Sequence, residues 1–234
     1  SIFGAQFFGT GDWKGMRDTF RFRLLFGGVV SVLAIVILWF WGDALALLFM
    51  KSEVNDPADI ALTVEHGMAY LKIALWGLVP FMVVQVYSGL LREMGETVSP
   101  MIASVIAILT NLVLNYIFIY GKLGCPAMGV AGAALATVIA RFLEMGYIMW
   151  ITHRGHARFR FIEGAYKSMH VPAELVRKIA VTGAPLMFNE LLWSLGTTFV
   201  NANYSSRGLT VVAAMNIATT AWNLFCVIMF AMGS

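Results

Sequence analysis

Long apolar runs separated by short polar breaks dominate the chain. Six stretches, roughly 22–50, 67–91, 99–120, 128–152, 179–204 and 209–232, stay apolar over the length a membrane helix needs, about 20 residues at 1.5 Å each. None shows the period-two alternation of a barrel strand. The pattern predicts an all-α, polytopic transmembrane bundle with six full spans. Gly77, Pro80, Gly183 and Pro185 fall inside these spans, where such residues are tolerated and mark bends, expected at Pro80 and Pro185. Ser99-Pro100 reads as an N-cap followed by proline at the first helical position. Pro172 with Glu174 opens the fifth span in a similar way.

Composition narrows the class. The 234 residues are 59% hydrophobic and only 12% charged, with a mean hydropathy of +0.78. So few charges cannot solvate a globule of this size, and so apolar a chain is not disordered. A net charge of +3 is too small to point to nucleic acid. Its distribution fits membrane topology better. Lys14, Arg17, Arg21, Arg23, Arg92, Arg154, Arg158, Arg160, Lys167, Arg177 and Lys178 fall on one set of connections, against Lys51, Lys122 and Arg207 on the other. The start of the chain, the 92–98 turn and the 153–178 connection are therefore expected in the cytoplasm. The acidic 53–65 loop and the Lys122 loop are expected outside. No signal peptide precedes the first span, the opening Ser1–Gln6 run reads as the tail of an earlier helix, and no polar tail follows Met232. The expectation is a piece of a longer membrane protein.

Polar side chains inside an apolar span carry information because each needs a partner or water. Ser104, Ala107, Asn111 and Asn115 share one face of the third span. Glu190, Ser194, Thr197 and Asn201 repeat those offsets on the fifth, and Asn216, Thr220 and Asn223 form a third stripe on the sixth. Three such stripes are expected around a hydrated cavity, with Asn189, Trp193 and Gln85 as further candidate lining. The plainer reading is a set of hydrogen bonds to neighbouring helices, each about 0.6 kcal/mol. Glu190 stands apart: a mid-span acid costs about 2.5–3.5 kcal/mol to insert, and burial there favours its neutral form. It is read as a proton or Na⁺ coupling site, against the alternative of a paired structural acid. Arg141 and Glu144, at i and i+3, are read as a structural ion pair. Gly132, Ala136 and Ala140 form a close-packing ridge.

Enzyme chemistry has no visible footing. His153, His156 and His170 are expected in one cytoplasmic loop and His66 at an outer helix entrance. No HExxH, GxSxG or P-loop pattern appears, and Cys125 and Cys226 form no metal-binding spacing. No cofactor or resident metal is expected beyond Na⁺ or H⁺ as a coupling ion.

One run of residues resembles a known family. Thr110-Asn111-Leu112-Val113-Leu114-Asn115-Tyr116-Ile117-Phe118-Ile119-Tyr120-Gly121, then Cys125-Pro126 and Gly129-Val130-Ala131-Gly132-Ala133-Ala134-Leu135-Ala136-Thr137, is similar to the fifth and sixth helices of multidrug and toxic compound extrusion (MATE) transporters. Gly4–Asp12 resembles the end of that family's second helix, and Gly183-Ala184-Pro185 its seventh. The resemblance implies a twelve-helix, two-lobed antiporter. Residues 1–152 would be the amino-terminal lobe without its first helix and most of the second, 153–172 the cytoplasmic inter-lobe linker, and 173–234 the start of the carboxy-terminal lobe. It also implies export of amphipathic or cationic compounds driven by Na⁺ or H⁺ through alternating access, from a bacterial inner membrane. The partners would be lipid, small-molecule substrate and the remaining helices of the same polypeptide. Asn111 and Asn115 match the amino-lobe cation positions, and Glu190 lies on a helix that bears a coupling acid in many members. The alternatives are a flippase for lipid-linked precursors, which would need several basic side chains for a diphosphate, and a non-transporting scaffold.

Overall fold

The structure is a computed structural model that describes residues 2–48, 57–156 and 158–232. Every element among the described residues is helical: α1 (Ile2–Gly9), α2 (Trp13–Leu48), α3 (Pro57–Ala74), α4 (Leu78–Glu93), α5 (Val98–Tyr120), α6 (Gly129–Arg154), α7 (Ala173–Ser205) and α8 (Leu209–Met232). Two short 3-10 turns, Leu75–Gly77 and Arg160–Ile162, complete the list. Four segments among the described residues are long and apolar enough to cross a membrane: Trp13–Leu47, Ala61–Glu93, Val98–Tyr120 and Gly129–Arg154. The fifth and sixth predicted spans are helical as α7 and α8, but the expected count of six is not reached on length and composition.

Helix limits differ from the sequence reading in instructive ways. α2 begins at Trp13, so the cationic run Lys14–Arg23 belongs to its first turns. A helix has no reason to stop where the apolar run stops, because its backbone bonds are internal. For the same cause α3 starts at Pro57 and absorbs Asp59 and Glu65 from the expected acidic loop; residues 49–56 lie outside the described set. Pro80 is the third residue of α4. Proline offers no N–H to the carbonyl four residues back, and the chain tightens into the 3-10 turn at Leu75–Gly77 before α4 resumes. Helix α7 runs through Pro185 without interruption.

Ser99 is not the N-cap of α5. The helix starts at Val98, and Thr97 makes no side-chain cap. Glu96 does the work instead, accepting from the Ser99 N–H at 3.1 Å and the Ser99 hydroxyl at 3.0 Å through one carboxylate oxygen. Pro100 still sits in the first turn, where no intrahelical donor is needed.

The chain divides into two compact units, Ser1–Phe40 with His66–Gly183, and Trp41–Glu65 with Ala184–Ser234. In the first, α5 and α6 pack most intimately. The ridge read from the sequence explains how. Gly132, Ala136 and Ala140 are buried, and a Cβ on Gly132 would stand 2.8 Å from the Phe118 carbonyl oxygen. Gly121 ends α5 in the left-handed conformation, φ 65°, with its N–H on the Ile117 carbonyl.

A buried apolar cluster lies where the sequence shows a charged connection. Phe159, Phe161, Ile162 and Ala165 are buried with Met16, Phe20, Tyr87, Leu90, Leu91 and Ile148. Phe20 meets Phe161 at 5.6 Å and Tyr87 edge-on at 5.1 Å. Arg21 donates to the Ala165 and Gly164 carbonyls, both at 2.8 Å, and Arg158 pairs with Glu96 at 2.6 Å. His153 is not in a loop. It lies in the last turn of α6, stacks on Tyr166 and lies 3.1 Å from the Tyr87 hydroxyl, which also bonds Tyr166. Segments expected on one side of a membrane thus fold together. Elsewhere in this unit Phe26, Val29, Leu33, Val36 and Phe40 of α2 and Leu109, Leu112 and Val113 of α5 are exposed, as surfaces bathed in acyl chains would be.

Candidate functional site

The first unit contains a groove of about 480 Å³ between α5 and α6, within the range of small-molecule pockets. Helix α5 supplies Ser104, Ala107, Asn111 and Asn115 on one face, with Ile108 and Leu112 beside them. Helix α6 supplies Thr137, Ala140, Arg141 and Glu144. Small residues at Ala107 and Ala140 leave the space that the polar groups line.

Hydrogen bonds join these groups into a chain with a fixed direction. The Thr137 hydroxyl donates to the Ala133 carbonyl at 2.9 Å. That carbonyl can only accept, so the hydroxyl proton is committed and its oxygen accepts from the Asn111 amide at 3.1 Å. Asn111 must then turn its own oxygen toward Asn115, whose amide donates to it at 2.9 Å. The polarity runs through to the end, where the Asn115 Oδ1 is buried and has no hydrogen-bond partner among the described residues. A buried acceptor left over is uncommon and marks a place for a cation or a donor.

Farther along the groove, Glu144 is buried and fully engaged. One oxygen accepts from Ser104 Oγ at 3.2 Å and the other from Arg141 at 2.8 Å. The Glu144 side chain is 4% exposed and that of Arg141 38%. The Arg141 guanidinium also lies over the Phe81 ring, 4.9 Å from its centroid. The ion pair read as a separate structural feature therefore forms part of the same groove wall as the two asparagines. Thr137 was missed as a groove residue. Its signal was available, since Thr137, Arg141 and Glu144 fall at i, i+4 and i+7 on one face of α6.

The second unit holds a shallower recess, also about 480 Å³, lined by Asn189, Glu190, Leu192 and Trp193. Glu190 is exposed and makes no hydrogen bond or ion pair among the described residues. The other members of its stripe do not gather into a pocket with it. Ser194 and Asn201 are exposed, and the Thr197 hydroxyl donates to the Trp193 carbonyl of its own helix at 2.9 Å. On α8, Thr220 bonds back to the Asn216 carbonyl at 2.8 Å, while Asn216 and Asn223 are exposed. Gln85 is exposed on α4 and does not line the α5–α6 groove, whereas Pro80 is buried and Pro185 exposed.

Outside the spans, Glu96 is the one carboxylate among the described residues with a resolved perturbation. The Ser99 backbone N–H, then the Ser99 hydroxyl and Arg158, hold it below the ordinary carboxylate range, against an opposing push from burial.

Comparison with known proteins bears on the family and the fold. A family model described as MatE matches residues 1–117. A probable multidrug resistance protein NorM of Thermotoga maritima is 31% identical over 149 residues, 63% of this chain and 30% of that protein. A multidrug resistance protein MdtK of Klebsiella pneumoniae is 27% identical over 228 residues, 96% of this chain and 47% of that protein. At its widest coverage, then, the chain spans about half the length of these curated relatives. A solved structure, described as the inward-facing conformation of a multidrug resistance MATE family transporter of the MOP superfamily, superposes with a TM-score of 0.74. It covers 97% of this chain and 48% of that one at 23% identity, a likeness of fold.

Proposed function

Because the chain belongs to the MatE family, we propose that it is part of a secondary antiporter that exports amphipathic or cationic drugs from a bacterial cell in exchange for Na⁺ or H⁺ by alternating access. The curated relatives are multidrug resistance proteins and the solved neighbour is a multidrug resistance transporter, which supports drug export; coupling to an ion is the further step. The observation that carries it is the directed amide chain ending at the unpaired Asn115 Oδ1. Amide and hydroxyl oxygens suit a hard cation, and a coupling ion arriving there would satisfy the leftover acceptor. Glu190, exposed on α7, supplies a titratable group for proton exchange. One charge moving down 100 mV releases about 2.3 kcal/mol, more than a tenfold gradient of passenger requires. A flippase for diphosphate-linked lipids fits less well, since Arg141 is the single basic side chain lining the groove among the described residues.

Efflux of ethidium from everted membrane vesicles of cells expressing the intact gene tests the reading, with Na⁺ and pH gradients imposed separately. Asn115→Ala is expected to remove the Na⁺-driven component and Glu190→Gln the pH-driven one. Wild-type rates under both gradients in both variants would overturn it.

A further inference from the structure

We propose that the recess where α5 begins and α6 ends binds the phosphate of an anionic membrane phospholipid, held by Arg154 and Arg158. This recess shares no lining residue with the groove that contains the asparagines, and lipid bound there is a fixed partner of the protein rather than cargo.

The recess measures about 250 Å³ and is lined by Ser99, Ile151, Arg154, Gly155, Arg158 and Phe159. That is below the usual range for drug-sized molecules and leaves room for a headgroup. Its side-chain donors come down to two guanidiniums, because the Ser99 hydroxyl, like the Ser99 N–H, is spent on Glu96. Arg154 makes no ion pair among the described residues. Its guanidinium lies over the Trp150 ring, 5.3 Å from the centroid, a contact that orients the fork and leaves its charge uncancelled. Arg158 gives one terminal nitrogen to Glu96 at 2.6 Å, yet its side chain is 72% exposed, so part of its five-donor fork stays open. Glu96 is 10% exposed with both oxygens engaged, and the charge presented to an entering group is that of the arginines. Phosphate oxygens match such forks.

Two observations favour a lipid over a free anion. Val98, Met101 and Ile102 of α5 and Trp150 of α6, which flank the recess in sequence, are exposed. They suit acyl chains descending from a headgroup, and a tryptophan at this level fits the interfacial belt. Arg92, Arg160 and Lys167 add to the cationic excess that marks this end as cytoplasmic, and the cytoplasmic leaflet carries the anionic lipids. A zwitterionic lipid offers the same phosphate but brings a second cation that two arginines repel.

The test is native mass spectrometry of the purified full-length protein in detergent, titrated with phosphatidylglycerol or with phosphatidylcholine. Wild type is expected to bind its first phosphatidylglycerol about tenfold more tightly than its first phosphatidylcholine, the lower end for charge-assisted hydrogen bonds. Arg154→Gln disturbs no ion pair and is expected to cut that preference to about threefold, half of the same free energy. Arg154→Gln/Arg158→Gln is expected to abolish it. Lys167→Gln removes one exposed charge from the same end but outside the recess, and is expected to leave the preference at the wild-type value. Inorganic phosphate in large excess is expected not to displace the lipid. Equal binding of the two lipids by wild type, or an unchanged preference in Arg154→Gln, overturns the proposal. So does a loss in Lys167→Gln as large as in Arg154→Gln, which would mean a diffuse basic surface, or displacement by phosphate, which would mean a free-anion site. No ion gradient or exported compound enters the measurement, so its outcome is independent of the transport reading.

Discussion

Two glutamates on two helices, Glu144 on α6 and Glu190 on α7, look alike in the sequence and live in different surroundings. Both lie in apolar runs and both have a polar residue nearby. Glu144 is buried between Ser104 and Arg141, whereas Glu190 is exposed beside Trp193 with no partner among the described residues. A carboxylate with both oxygens committed is a fixture that sets the charge of its neighbour. One with none committed keeps both oxygens open to a ligand. The difference comes from what the adjoining helix offers. Helix α5 turns Ser104 toward α6, while no residue of α7 is buried.

The hardest way to break this contrast is Arg141→Ala. It leaves Glu144 buried with only the Ser104 hydroxyl, and an uncompensated buried charge costs about 3–5 kcal/mol. Thermal unfolding in detergent micelles should show the largest loss of any groove variant, with Glu144→Gln costing less, because the amide keeps the shape and the Ser104 hydrogen bond and the guanidinium left without its counter-charge is partly exposed. Equal losses for the two would mean that the pair is not the asymmetric unit described above.

Asn115→Ala comes next. It removes one neutral hydrogen bond and leaves the Asn111 oxygen without its donor, at about 1 kcal/mol. Added Na⁺ is expected to raise the unfolding midpoint of wild type, because a ligand that binds only the folded state stabilises it, and to leave the variant where it is. A sodium-independent wild type would sever the unpaired Asn115 oxygen from any role with that ion.

The helical architecture was legible because an apolar run of membrane length admits few other structures, and the stripe Ser104–Ala107–Asn111–Asn115 was legible because the helical period alone puts those residues on one face. What the sequence hid is contact between elements. Thr137 completes the amide chain only because the Gly132 ridge lets α6 approach α5 closely enough for a 3.1 Å bond. Phe159, Phe161 and Ile162, flanked by Arg158 and Arg160, read as a solvated connection, yet they are buried against Phe20 and Tyr87. Charged neighbours mask a core residue when the charges point outward and the rings inward. Glu96 was passed over for Ser99 as the cap because a cap contributed by a side chain three residues ahead leaves a weaker signature than Ser-Pro.

Glu96 supplies a third carboxylate, outside the spans, against which the other two can be calibrated. Its partners hold the folded pKa below the ordinary value, so its stabilising contribution is present above the unfolded pKa of about 4.3 and is lost as pH falls through the folded value. Glu96→Gln is expected to flatten the acid limb of the stability profile below about pH 4.3, lowering the neutral plateau where the charged cap contributes and converging with wild type in acid. An acid limb identical to wild type would show that the cap on α5 does not depend on that charge.

The smallest effect on stability should come from Glu190→Gln. Its carboxyl touches nothing that the amide would lose, and exposed substitutions away from partners fall within about 0.5 kcal/mol. The value of this variant is that stability and function are expected to part company. The unfolding midpoint should match wild type while the pH-driven component of efflux disappears. A lowered midpoint would reveal a contact that holds Glu190 in place, moving it toward the fixed condition of Glu144. An unchanged midpoint with unchanged pH dependence would leave the α7 acid with neither a structural nor a coupling role. The contrast between the two helices would then reduce to one built groove on α5 and α6 and one bystander carboxylate.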